Sequence, residues 1–175
     1  MAGDPLNARL WTEGDVYVSF NLSEANPATV ATAFGGGWDL VGLLDGETGF
    51  TENREQQVTD FYAWGQILVR TARRNYKETH AFVAYEDTDL TERLYRPGST
   101  AGEYSVPVPE PAKVAFETRE GTSVKRLITR NYAEVTLNGQ RTVSESGLTT
   151  YPLIATIYPD GDGVLFDIQE TAASS

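Results

Sequence analysis

The chain has no cysteine, a single histidine (His80) and a single methionine in 175 residues. Without cysteine there is no disulfide, no thiolate metal site and no thiol nucleophile, so stability must come from packing or from neighbouring molecules. No run of about 18 apolar residues occurs, which argues against a membrane-spanning helix. The opening residues, Met1 to Asp15, carry neither a basic stretch nor the apolar run of an export signal, so a leader is not expected. The Asn21-Leu22-Ser23 sequon then has no consequence, because it acts only in a secretory compartment. No repeat of solenoid or propeller period is present.

Positive charge is also scarce, with 14 Lys and Arg against 25 Asp and Glu and a net charge of -11. A chain this acidic repels free DNA. Its charge is uneven: residues 1–60 carry ten acids and two bases, and residues 142–175 carry five acids and no base. The exception is the cluster Arg70, Arg73, Arg74 and Lys77. Such a cluster either ends a strand in solvent, pairs with acids on a neighbouring subunit, or forms a local basic face.

What is present suffices for a core: 40% apolar residues, with seven Phe, nine Tyr and three Trp. The length fits one domain, 1–175, with an ordered part from about 9 to 168 and flexible ends. The patterns predict a mainly β chain. Val16, Val18 and Phe20 alternate on one strand, and Asn26-Pro27 to Gly35-Gly36-Gly37 reads as a loop. Trp38 to Leu44 reads as a second strand closed by Asp45-Gly46. Residues 50–65 begin with an almost wholly polar run and are expected to be a long loop, a candidate contact arm. Strands are expected at 66–71 and 80–85, followed by a short helix over 89–94 capped from Asp87-Thr88 and ended by Pro97-Gly98. A hairpin turning at Glu120-Gly121 leads into one long strand, 124–137, polar on both faces. Asn138-Gly139 is expected to be a tight turn, and Leu153–Tyr158 to pair with Val164–Ile168 across Asp160-Gly-Asp-Gly.

Catalytic signatures are missing. His80 lies in a strand pattern beside Phe82 and reads as a packed or solvent-facing side chain and not a catalytic one. Ser144 to Gly147 does not supply a nucleophile elbow. Asp160-Gly-Asp-Gly opens like a calcium loop, but its twelfth position is Thr171 rather than an acid. The triple glycine lacks the Lys-Ser/Thr of a phosphate loop. With 25 acids some carboxylate pair always exists, and without geometry it carries nothing. No catalytic, metal or cofactor site is therefore expected, and the protein is not read as an enzyme.

Taken together, Trp38 to Phe50, Phe61 to Asn75, Arg96-Pro-Gly-Ser99, Val114 to Gly121 and Tyr158 to Phe166 resemble major tail tube proteins of long, non-contractile bacteriophage tails, especially those of actinobacterial hosts. The resemblance spans about residues 9–168. It implies two packed antiparallel β-sheets with a flanking helix, six copies closing into a ring, and rings stacking into a tube. It further implies a virion location in the tail and a tape measure protein in the lumen. Tail terminator and distal tail proteins are implied at the ends, with DNA passing through non-specifically and no membrane partner. The segment Phe50 to Trp64 resembles the extended loop that grips the adjacent ring. On that basis Phe50, Arg54, Phe61, Tyr62 and Trp64 are the expected subunit contacts, the other reading being an aromatic cluster packed within its own subunit. The rival function is a β-sandwich binding module in which Trp11, Trp38 and Trp64 stack sugars.

Overall fold

The structure, a computed structural model, describes residues 8–100 and 102–171. The alternating segment at the start forms β1 (Glu13–Ser19), with Val16 and Val18 turned inward and fully buried. It pairs with the short β2 (Asp39–Leu40) on one side and with β5 (Pro111–Glu120) on the other. Between them in sequence lie the hairpin β3 (Thr51–Ala63) and β4 (Ile67–Ala84) and the helix α1 (Asp89–Tyr95). Beyond β5 come β6 (Ser123–Thr129), β7 (Tyr132–Leu137), β8 (Tyr151–Tyr158) and β9 (Phe166–Glu170).

All pairings are antiparallel, in the order β2-β1-β5-β7-β8-β4-β3, with β6 bridging β5 and β9. The mainly β architecture with one short helix is as the patterns predict. Hydrogen bonds join the nine strands into one sheet, however, rather than two separate ones. The joint is β5, which pairs with β7 at Pro111 and Ala112 and with β1 and β6 further along. Residues 112–117 of β5 are all buried, so both its faces are covered. On one face Ala112, Val114 and Phe116 join Val16, Val18, Phe82, Val135 and Leu153 in the main core. On the other, Ala115 packs with Trp38 and Ile128. Phe116 is the hub of the ring cluster, 6.1 Å from Phe82, 5.5 Å from Phe50 and 4.9 Å from the His80 ring. Phe116→Ala is expected to lower stability by about 3–5 kcal/mol, measured from denaturant midpoints.

The expected long strand 124–137 is broken at Arg130-Asn131. The backbone N–H of Arg130 donates to Leu165 O at 2.9 Å and the Asn131 amide donates to Pro159 O at 2.9 Å. The break lets β6 pair with β9 while β7 pairs with β8. The expected hairpin of 153–158 with 164–168 is therefore not formed, since β8 and β9 pair with different partners. The turn between them is built by Asp160, whose carboxylate accepts from the N–H groups of Asp162 and Val164 at 2.9 and 2.8 Å. Asn138-Gly139 is likewise not a tight turn: β7 and β8 pair, but residues 138–150 connect them.

The expected second strand shrinks to Asp39–Leu40 because Gly42 takes φ +103, a conformation open to glycine that ends the ladder. The carboxylate of Glu86 then accepts from Leu43 N–H at 2.9 Å. The helix begins where expected, with Thr88 as its cap. Its hydroxyl accepts from Thr91 N–H at 3.2 Å, and the Thr91 hydroxyl accepts in return from Thr88 N–H at 2.8 Å. Thr88→Ala is expected to cost about 1 kcal/mol in the same denaturation assay.

A buried ionic cluster lies on the β1–β5–β6 side. Glu117 accepts from Arg119 Nη1 at 2.6 Å and from Arg126 Nε, while Arg126 Nη1 also donates to Thr32 O at 2.7 Å. The Arg126 guanidinium stacks over Phe34 at 4.7 Å. This cluster ties the 21–37 segment to the sheet.

Candidate functional site

The segment 50–65 is not a loop. Residues 51–63 form β3, and the strands expected at 66–71 and 80–85 are one continuous strand of 18 residues, β4. The polar run hides this strand because its side chains are satisfied across the pair and not by burial. The Asp60 carboxylate accepts from Thr71 Oγ1 at 2.7 Å and Gln57 Oε1 accepts from Asn75 Nδ2 at 2.8 Å. Glu55 stands opposite Lys77, a favourable cross-strand charge pair. With no buried face, no apolar alternation is needed, so the usual strand signature is missing. Gly65 and Gln66 turn the hairpin with φ +86 and +63, as tight hairpin turns require.

β4 pairs with β8 only over Glu78–Ala84, so residues 67–77 are held by β3 alone. Every residue of β3 is exposed, and its outer edge has no strand partner among the described residues. At about 3.4 Å per residue, the ribbon beyond the sheet runs roughly 35 Å. A two-stranded ribbon of this kind is marginally stable in water by itself. Its far end nevertheless exposes Phe61, Tyr62, Trp64, Ile67, Leu68 and Val69, with Trp64 fully open to solvent. Exposed apolar surface gathered at one end of an unsupported element marks a contact site.

Of the five residues expected at subunit contacts, Phe61, Tyr62 and Trp64 sit together at this tip. Arg54 lies near the root of the arm, exposed, paired with Glu52 and with Glu78 at 3.5 Å. Phe50 falls outside the group. It is half-buried against the core beside Phe116, and a side chain on Gly14 would meet its ring at 3.2 Å. Phe50 packs within its own subunit because it precedes β3 and still lies over the sheet, and it also lines a cleft at the root of the arm. Sequence reasoning assigned Ile67, Leu68 and Val69 to an ordinary strand. Three consecutive apolar residues gave no warning of this, because an unbroken apolar run ordinarily reads as a strand buried on both faces. The basic cluster Arg70, Arg73, Arg74 and Lys77 lies on the same ribbon and is exposed.

At the root, the buried Glu78 gathers Arg54, the Tyr76 hydroxyl and His80 Nε2, the last at 3.0 Å. His80 stacks on Phe116 and meets Phe166 edge-on at 5.1 Å, so it is packed rather than solvent-facing. Glu52, Glu78 and His80 bring three ligand atoms within 4.8 Å of one another. Arg54 pairs with both carboxylates, so in this structure the donor set is part of an ion-pair network. Burial works to raise the Glu78 pKa, but hydrogen bonds from Tyr76 and His80 and the Arg54 charge together hold it below its ordinary value. A carboxyl depressed on folding contributes stability that is present above its unfolded value and lost as pH falls through the folded one. Glu78→Gln is therefore expected to flatten the acid side of the stability profile, below about pH 4.5, read by thermal melts across pH.

A second feature adjoins the root. A cleft of about 520 Å3 is floored by Trp11, Leu40, Leu43 and Phe50 and rimmed by Glu13, Asp15, Asp45 and Glu86, with Arg119 the one base. Leu40 and Leu43 are exposed there.

No helix among the described residues is long and apolar enough to cross a membrane. No family model matches the sequence, and no curated protein matches it.

Proposed function

We propose that the protein is a structural virion component that self-assembles into stacked hexameric rings, the tail tube through which a phage genome is delivered. The observation that carries this reading is the β3–β4 arm, a long ribbon without support from its own subunit and tipped with apolar side chains. An element of that kind gains its stability by lying on another molecule. The free edge of β3 adds backbone donors and acceptors that identical copies can satisfy by closing a circle, which also removes the aggregation hazard of an open edge. The tape measure protein would fill the lumen during assembly, terminator and distal tail proteins would cap the ends, and DNA would pass without sequence-specific contact. An excess of acids over bases on the channel wall would keep DNA from sticking.

The rival sugar-binding reading loses one of its three tryptophans. Trp38 is buried, with its indole N–H donating to Ala25 O at 3.1 Å, so it cannot stack on a ligand. Negative-stain microscopy of the purified protein over a range of concentration and salt tests the proposal. Rings or tubes are expected; dispersed monomers under every condition would overturn it.

A further inference from the structure

We infer that the acidic cleft at the root of the arm is the receptor for the arm tip of a second copy of this chain. The inference rests on the assembly reading and names the surface that completes it.

The two surfaces match in chemistry. Residues 56–77 of the arm carry four bases, Arg70, Arg73, Arg74 and Lys77, and one acid, Asp60. The cleft has the reverse balance, four acids among apolar side chains with one arginine, Arg119, which pairs with Glu13 and Asp15 and leaves Asp45 and Glu86 without a basic partner in the lining. The tip offers Trp64, fully exposed, flanked by Tyr62 and Leu68 on paired positions. A large aromatic entering an apolar pocket inside a ring of opposite charge is the arrangement of a binding hot spot.

Geometry then selects the occupant. Gly49 and Phe50 line the cleft, and β3 starts at Thr51, so the cleft sits where the arm begins. The tip lies 13 residues further along an extended strand, roughly 40 Å away, and cannot return to its own cleft while β3 and β4 stay paired. Only another copy can supply the tip. A contact in which one surface of a molecule meets a different surface of the next is head-to-tail, and repetition of it closes a ring or extends a stack.

The absence of cysteine makes the test clean. Copies bearing Ala63→Cys, beside the tip, are mixed with size-tagged copies bearing Leu43→Cys, in the cleft lining, assembled and mildly oxidised. A covalent heterodimer is expected in the polymer, and none from Ala63→Cys mixed with Leu148→Cys, an exposed position outside the cleft. Raising salt should weaken assembly, since the arm's bases are exposed and the cleft's acids are exposed or half-buried. If tubes form yet the tip cross-links to Leu148→Cys or not to Leu43→Cys, the receptor assignment is overturned while the assembly reading stands. If wild-type protein never polymerises, the assembly reading itself fails.

Discussion

Replacing residues 56–76 with Asn-Gly is expected to give a folded protein that no longer polymerises. The design follows the register: Glu55 pairs with Lys77, so a two-residue turn between them closes a short hairpin in the conformation that Asn-Gly favours. Glu78–Ala84 keeps its pairing with β8, and none of the removed residues belongs to the core. Global stability should fall by no more than about 1–3 kcal/mol, chiefly from loss of the Tyr76 hydroxyl's hydrogen bond to the buried Glu78, because the rest of the lost surface was solvated in the subunit. Assembly should be abolished at concentrations where the full chain forms rings or tubes. The milder Trp64→Ala is expected to raise the concentration needed for assembly about 30-fold, as truncation of a central aromatic anchor commonly costs 2 kcal/mol or more of association free energy. Sedimentation and microscopy read both effects, and circular dichroism confirms the fold. Normal tubes from the shortened chain would show that the arm is not an assembly element.

The second large effect lies far from the arm. Glu117 is 3% exposed and holds Arg126, itself 8% exposed, together with Arg119. Glu117→Ala leaves the Arg126 charge in the interior with only carbonyl partners at Thr32 and Thr29. Breaking a buried pair by removing one partner typically costs about 3–5 kcal/mol, much of it the burden of the stranded charge. The double substitution Glu117→Leu with Arg126→Met should recover most of that loss, since neither charge then needs a partner. Denaturant unfolding of the two variants distinguishes this account from simple loss of packing, which the double variant would make worse.

The strands that the sequence revealed are those with one buried face. Val16 and Val18 alternate because β1 lies over the core, and the helix was legible because Thr88 caps it ahead of a buried Leu94. The strand that matters most for the proposed function was hidden for the opposite reason. β3 buries nothing in its own subunit, so its composition is governed by cross-strand polar pairs and by what meets it from outside. Glutamate, glutamine and asparagine along such a strand read as loop. The break at Arg130-Asn131 was also illegible, because strand exchange between β6 and β7 depends on where Leu165 and Pro159 return in space. Of the residues expected at subunit contacts from the resemblance, Phe61, Tyr62 and Trp64 lie together and exposed at the tip. Phe50 lies apart from them, since one residue separates a ring that packs on Phe116 and lines the cleft from a strand that packs on nothing. The cleft could not be seen at all: Trp11, Leu40 and Glu86 converge only through β1, β2 and the chain beyond β4.

Backbone hydrogen exchange over residues 51–77, compared between dispersed subunits and assembled polymer, asks whether the arm rests on a neighbour. Fast exchange in the subunit, slowed at least about tenfold in the polymer while β5 and β8 stay protected in both, is the expected result. Arm amides that are already protected in the isolated subunit, or that stay fast in the polymer, would contradict it.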